Sequence, residues 1–251
     1  MHFGEQLTAK YLKTKTPIEC HFFLSDFLWD NIVGLPFFTP IHFKSSKIHV
    51  HSPLDEIGAR KWLTGVCSPD FSPFEGLSSF KSNLSFSNPI EIANIGPWSV
   101  EALLTKHPLA PYPAAVWIFS HQSGKRIAIS ATAICPGEYR EALVKKLNGL
   151  DVFIQSAIAP DIFHPSIANR FTFTEAVKLG TDLGAGRTFI NGIHPLFNDQ
   201  DLELFELELN EKAIGSRDEN QDMTARFARE PVPFVLESLD TPALSHNQKV
   251  S

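Results

Sequence analysis

The chain has 251 residues, of which 43% are hydrophobic, and a formal net charge of −6. This length and composition suit one domain with a buried core and exclude a broadly disordered chain. The acidic balance, without any block of Lys and Arg, argues against a nucleic-acid partner.

The front half of the chain is predicted to consist mainly of strands. Hydrophobic spacing predicts a helix over Glu5–Lys13, a buried strand over Ile18–Leu24 and a strand over Lys47–His51. Ser52 as N-cap and Pro53 at the first helical position predict a helix that ends near Gly65. The stretch 67–88, rich in Ser, Pro and Phe, is predicted to be a long loop. Further strands are predicted near 89–93, 98–105, 114–120 and 126–131, the last two as a hairpin.

The back half is predicted to alternate helices and strands, which favours an α/β fold with helices outside the sheets. Helices are predicted over 136–149, 172–184 and 198–213, and strands over 150–157 and 187–192. Residues 215–226 are predicted to be loose, and 232–237 a last strand. We expect residues 1–236 to form a single domain and 237–251 to be a disordered tail.

The cysteines and the lack of apolar segments favour a cytoplasmic protein. Cys20, Cys67 and Cys135 lie far apart, and an odd number argues against a disulfide framework. The first residues contain no apolar signal core, and no hydrophobic run approaches the roughly 18 residues of a membrane-spanning helix. We therefore expect no membrane and no nucleic acid as partner, but a small-molecule ligand or a protein, including a homo-oligomer.

The segment FLSDFLWDNIVGLPFF, residues 23–38, resembles the metallo-β-lactamase superfamily and most closely its phosphodiesterase-like branch. There the segment typically reads LSHTHWDHIxGLPFF, and its His-x-His-x-Asp-His core holds two metal ions. In this chain Asp26 and Leu28 stand at the first two histidine positions. Asp30 retains the aspartate, and Asn31 replaces the next histidine.

Four later segments resemble the same superfamily in the same order. LLTKHPLAPYPAAVWIF resembles its His-Pro segment and keeps His107 as a candidate ligand. KRIAISATA resembles the strand that ends in the metal-bridging Asp, where this chain has Thr132. LDVFIQSA has Ser156 in place of an Asp, and NRFTFTEAVKLG has Arg170 in place of a His.

The segment TFINGIHPLFND resembles the strand and loop that read His-His-x-Pro in the superfamily. The two histidine positions hold Gly192 and Ile193, and a shift of one residue brings in His194. ARFAREPVPFVL resembles the closing strand. The resemblance implies an αββα four-layer sandwich. Its Gly-rich opening strands have no counterpart in this chain, so the first sheet is expected to lack its N-terminal strands.

The replaced ligands predict that the cleft has lost its pair of metal ions. A structural four-ligand zinc site is worth about 10–16 kcal/mol, or about 3 kcal/mol per ligand. The favoured interpretation is a non-catalytic binding protein, a pseudoenzyme without a cofactor. In it Asp30 and Asn31 cap the following turn and His107 bonds to backbone. The vestigial cleft residues are then Asp26, Leu28, Asp30, Asn31, His107, Thr132, Ser156, Arg170 and His194.

The alternative is a divergent hydrolase of phosphodiesters with a single-metal site. One divalent Zn, Mn or Mg ion would be held by Asp26, Asp30, His107 and His194, a set rich in oxygen donors.

Two further arrangements are weaker alternatives. His49 and His51 alternate on a predicted strand and therefore share one face, where they could bind a metal with His42. A half-exposed strand surface is the simpler interpretation. Ser130, Thr132 or Cys135 could form a nucleophile–base pair with His107, although no Gly-x-Ser-x-Gly turn supports it.

Overall fold

The computed structural model describes residues 2–70, 72–87, 90–107, 110–130, 143–161, 171–214 and 224–228. The helices are α1 (His2–Thr14), α2 (Trp29–Ile32), α3 (Glu56–Val66), α4 (described over 143–147), α5 (Phe173–Asp182) and α6 (Asp199–Ile214). The strands are β1 (Glu19–Phe23), β2 (Lys47–His51), β3 (Asn83–Ser87), β4 (Ala93–Ile95), β5 (Trp98–Lys106), β6 (Pro113–His121), β7 (Arg126–Ser130), β8 (Val152–Ser156), β9 (Arg187–Asn191) and β10 (Thr224–Phe227). No helix among these residues is long and apolar enough to cross a membrane.

The strands form two sheets. The first sheet has the order β1-β2-β3, and all three strands are parallel. The second has the order β10-β9-β8-β7-β6-β5-β4, parallel from β7 to β10 and antiparallel from β4 to β7. Within the described residues β1 is an edge strand of the first sheet.

The two sheets pack face to face, and helices cover their outer faces. Ile48 of β2 shares one hydrophobic cluster with Leu63 of α3. On the inner face of the first sheet, the Phe23 ring of β1 lies 5.0 Å from the Trp117 ring of β6. Beyond the second sheet, Phe153 of β8 packs with Leu147 of α4. The order helix, sheet, sheet, helix confirms the predicted αββα sandwich.

The start of α3 differs from the prediction. Asp55, not Ser52, is the N-cap, and its side chain accepts a hydrogen bond from the Gly58 N–H at 2.8 Å. The Ser52 hydroxyl instead accepts from the Leu54 N–H at 3.2 Å, so it closes a turn before the helix. The helix continues through Gly65 to Val66.

The predicted loop 67–88 contains β3, which was missed because its Asn and Ser residues are poor strand formers. The strand is in fact amphipathic. Leu84 and Phe86 pack against the cluster under α3, while Ser85 and Ser87 hydrogen-bond to histidines of β2 on the opposite face. Pairing with β2 therefore decides the structure of this segment.

The prediction that residues 215–226 are loose is wrong at the end of this range, because Thr224–Phe227 forms β10 beside β9. The Asn210 side chain of α6 accepts a hydrogen bond from the Ala225 N–H at 2.9 Å and donates to the Ala225 carbonyl at 3.0 Å. This amide satisfies the outer edge of β10 as a neighbouring strand would. The predicted last strand 232–237 and the tail 237–251 lie outside the described residues.

Two helix glycines give opposite predictions for substitution by alanine. A Cβ on Gly180 of α5 would collide with the buried Thr188 side chain of β9, whereas a Cβ on Gly65 would meet nothing within 4 Å. Thr188 is β-branched and stiff, so Gly180→Ala is expected to reduce the free energy of unfolding by about 1–3 kcal/mol. Gly65→Ala is expected to raise it by about 0.5–1 kcal/mol. Denaturant unfolding measures both, and equal effects would contradict the close packing of α5 on β9.

Candidate functional site

The segment after β1 lies between the two sheets. The Leu24 N–H donates to the His51 carbonyl at 2.8 Å, and the Ser25 carbonyl accepts from the Ala115 N–H of β6 at 2.8 Å. The first bond extends β1 by one residue beside β2, and the second joins the next residue to β6. The next side chain, Asp26, is completely buried at this junction.

The Asp26 carboxylate holds the turn that leads into α2. Its Oδ1 accepts hydrogen bonds from the Leu28 N–H at 2.9 Å and from Asn31 Nδ2 at 2.8 Å. A bond to the backbone two residues ahead is typical of an Asx turn. Leu28, the N-cap residue of α2, makes no side-chain capping bond. Asp26 therefore anchors this turn, and Asn31 contributes as a donor to it.

The second oxygen of Asp26 faces His107. Asp26 Oδ2 lies 3.7 Å from His107 Nε2, and both side chains are fully buried. His107 follows the end of β5, and its ring lies 5.4 Å from that of Tyr112, just before β6. Burial, with a smaller contribution from the Asp26 charge, raises the pKa of the Tyr112 hydroxyl, while a hydrogen bond from the Phe27 backbone opposes this. The Tyr112 hydroxyl is therefore protonated at neutral pH.

Two adjoining cavities open beside this cluster and share Ala110, Pro111 and Tyr112. One has a volume of about 460 Å³ and reaches His107. The other, of about 480 Å³, is mostly apolar and is lined by Phe27, Leu28, Trp29, Ile32, Trp62, Gly65 and Val66 in addition to the shared residues. Leu28 thus faces a hydrophobic cavity, with two partly exposed tryptophans at its rim.

The carboxyl ends of β8 and β9 bring Ser156 and Gly192 together. Gly192 has a φ of 70°, and a Cβ there would collide with Ser156 Oγ. The next residue, Ile193, packs against the cluster between α5 and α6. The His194 N–H donates to the Ile158 carbonyl at 3.0 Å, and its Nδ1 accepts from the Leu196 N–H at 3.3 Å. The segment that follows β9 is thus held by these local contacts.

A separate group of histidines lies on the inner face of the first sheet. Glu19, His21 and His49 each place one ligand atom within 4.8 Å of the others, the one such group of three in the described residues. His21 Nδ1 lies 2.9 Å from Nε2 of the buried His51. The structure therefore contains a candidate three-residue metal site on β1 and β2.

No family model matches the sequence, and no curated protein matches it. Solved structures do match. YhfI from Bacillus subtilis, a metallo-β-lactamase fold protein, has a TM-score of 0.58 at 13% identity, over 83% of this chain and 74% of that chain. A diphosphatase of the PhnP family has a TM-score of 0.52 at 14% identity, over 89% and 74%. Igni18, a metallo hydrolase from Ignicoccus hospitalis, has a TM-score of 0.51 at 12% identity, over 88% and 79%.

The chain has the metallo-β-lactamase fold. At sequence identities of 12–14%, the similarity to these structures shows the fold alone. The activity of this chain has to be argued from its own residues.

The metallo-β-lactamase fold brings together four of the predicted cleft residues, namely Asp26, Leu28, Asn31 and His107. Asp30 is exposed on α2. Ser156 and His194 lie at the ends of β8 and β9, as described above. Thr132 and Arg170, like Cys135, lie outside the described residues.

The prediction for the histidines of β2 is corrected in two ways. His49 and His51 share a face, but His51 is buried and not part of a half-exposed surface. His42 is not their neighbour: its Nε2 lies 3.0 Å from the Pro36 carbonyl, and its ring stacks on Phe74. The side chains that do lie next to His49 are Glu19 and His21. The sequence shows these two as an acidic residue and a histidine two positions apart on a predicted strand, a spacing that places both on one face. Their relation to His49 depends on the pairing register, which the sequence does not reveal.

Alanine substitutions at Asp26 and at the nearby Asp30 test the structural role of Asp26. Asp26→Ala would leave the Leu28 N–H and the Asn31 amide without their acceptor and is expected to lower the free energy of unfolding by about 2–4 kcal/mol. Asp30→Ala, at an exposed position on α2, is the matched control and is expected to cost less than about 1 kcal/mol. Denaturant unfolding measures both values. A larger loss for Asp30→Ala would contradict the assignment of the anchor to Asp26.

Proposed function

We propose that this chain is a non-catalytic metallo-β-lactamase-fold protein, a pseudoenzyme without a dinuclear metal centre in its cleft. In place of metal chemistry, the cleft binds a small apolar or aromatic molecule. The observation that carries the proposal is the arrangement of residues 26–31. A buried carboxylate at one ligand position is engaged in holding the backbone, and an apolar side chain at the next position lines a cavity.

The donor set of the described cleft residues does not fit a pair of metal ions. Turning Asp26 Oδ1 towards a cation would break its bonds to the Leu28 N–H and the Asn31 amide, and each buried group left unsatisfied costs about 1–3 kcal/mol. Leu28 and Ile193 have no donor atoms. A histidine at position 192 would need a Cβ where Ser156 Oγ lies, on a backbone with positive φ. In the resembled superfamily all four of these positions, 26, 28, 192 and 193, hold histidines.

The cavity next to Leu28 has the properties of a ligand site. Its volume of about 480 Å³ falls within the range of about 300–1,000 Å³ that is usual for small-molecule pockets. Trp29, Trp62 and Tyr112 supply large aromatic surfaces, and the protonated Tyr112 hydroxyl can donate a hydrogen bond. An aromatic or aliphatic ligand with one polar group is therefore the expected occupant.

The alternative function is a hydrolase of phosphodiesters that uses one metal ion at Asp26, Asp30, His107 and His194. The approach of Asp26 Oδ2 to His107 Nε2, 3.7 Å apart and fully buried, is the observation that favours it. The alternative would require the exposed Asp30 and the locally bonded His194 to turn towards that pair.

The binding prediction uses two tryptophans that line different cavities. Trp62 lines the cavity beside Leu28, and Trp98 lines a groove between the sheets. With 1-anilinonaphthalene-8-sulfonate as the aromatic probe, Trp62→Ala is expected to weaken binding about tenfold, or about 1.4 kcal/mol. The Trp98→Ala control is expected to bind the probe as the unaltered chain does. Fluorescence titration measures both, and weakening confined to Trp98→Ala would contradict the proposed site.

The absence of catalysis is tested with bis(p-nitrophenyl) phosphate in the presence of Zn²⁺ or Mn²⁺. We expect the unaltered chain to release no more p-nitrophenol than its His107→Ala variant, because no metal-bound hydroxide forms in the cleft. His121→Ala, which changes a histidine at the β6–β7 turn, serves as the control. Turnover that disappears in His107→Ala and persists in His121→Ala would establish the hydrolase alternative.

A further inference from the structure

The parallel register of the first sheet gathers polar residues on one face. Glu19 lies opposite Lys47, and His21 lies opposite His49 in the β1–β2 ladder. Because side chains alternate along a strand, these residues point to the side that faces the second sheet. The other side, with Ile48 and its neighbours, packs against the helices. Polar donors are therefore concentrated where β1 forms the sheet edge.

Three of these side chains converge. His49 Nε2 lies 3.0 Å from Glu19 Oε1, and the His21 and His49 rings stack with centroids 4.4 Å apart. One ligand atom from each of the three lies within 4.8 Å of the other two. Ligand atoms around a tetrahedral Zn²⁺ lie about 3.3 Å apart, given metal–ligand bonds of about 2.0–2.1 Å. Because the two rings are nearly parallel, with 17° between their planes, binding one ion requires one imidazole to tilt until both nitrogen lone pairs point at the ion. It also requires a change of side-chain torsion in Glu19, whose side chain is 56% exposed.

Both histidines are held by their remaining ring nitrogens. His49 Nδ1 lies 2.8 Å from Ser85 Oγ, and His21 Nδ1 lies 2.9 Å from His51 Nε2. His51 Nδ1 lies in turn 2.7 Å from Ser87 Oγ. In metalloproteins, such bonds to the second nitrogen fix the tautomer and orient the ring towards the metal. A serine hydroxyl can donate or accept, so the same contacts serve with and without a cation.

We propose that Glu19, His21 and His49 bind one divalent transition-metal ion on the inner face of the first sheet. Two imidazole nitrogens and one carboxylate oxygen favour Zn²⁺ or Co²⁺ over Mg²⁺ and Ca²⁺, which prefer oxygen ligands. Three protein ligands leave a fourth position for water or for a ligand. Glu19 and His21 line a groove of about 530 Å³ between the sheets, through which a cation reaches the site from solvent.

This site is separate from the cleft at Asp26 and does not depend on the proposed function. By joining β1 to β2, the ion would stabilise the edge of the first sheet by an amount that grows with the logarithm of its concentration relative to its dissociation constant.

The test is calorimetric titration of the chelator-treated full chain with Zn²⁺. We expect one ion per chain, with affinity at least 100-fold lower in His49→Ala and in His21→Ala. His121→Ala, a histidine on β6 outside the group, is expected to bind as the unaltered chain does. Lack of saturable binding in the unaltered chain, or unchanged affinity in both ligand variants, would overturn the proposal.

A milder variant keeps the test valid if an alanine variant fails to fold. Glu19→Gln keeps the size of an exposed side chain and removes its charge, so it is expected to weaken Zn²⁺ binding about tenfold without changing denaturant unfolding of the metal-free chain. Asp26→Ala separates this site from the cleft, since it should retain the ion. Loss of the ion in Asp26→Ala but not in His49→Ala would place the cation in the cleft and contradict both the proposed site and the proposed function.

Discussion

The buried carboxylate of Asp26 connects the parts of the structure that meet at the cleft. It follows the segment that joins β1 to β2 and β6, it accepts the two hydrogen bonds that hold the turn into α2, and it faces His107 at the end of β5. A buried charge is tolerated only when hydrogen bonds and neighbouring charges compensate its lost hydration. At a position where the resembled superfamily places a histidine ligand, this chain therefore has an acceptor for its own backbone, and the hydrophobic Leu28 follows two residues later.

The first sheet depends on a second constraint, the alternation of its side chains. Apolar residues such as Val50 and Phe86 face the helices, and the polar residues face the second sheet. The inner face is stable because Phe23 fills the contact with Trp117, and because each histidine beside it has a hydrogen-bonding partner. The face that would otherwise be a simple hydrophobic interface thus carries a candidate metal site.

Much of the fold could be predicted because local patterns determine it. The apolar run before Asp26, the alternation in Lys47–His51 and the β6–β7 hairpin all have signals in the sequence, and the order of the motifs indicated the sandwich. The strand β3 could not be predicted, because its Asn and Ser residues form a strand only by pairing with β2. The anchoring role of Asp26 was missed although an aspartate followed two residues later by a helix start is a local signal. The convergence of Glu19, His21 and His49 depends on register, which is a property of the folded sheet.

The most direct measurement is anomalous diffraction from crystals of the full chain soaked with Zn²⁺. We expect no peak within coordination distance of Asp26 and His107, because one oxygen of that carboxylate holds the turn and Leu28 supplies no ligand atom. A peak at that position would contradict this expectation, and two peaks about 3.5–4 Å apart, the spacing of a dinuclear centre, would restore the metal pair of the resembled superfamily.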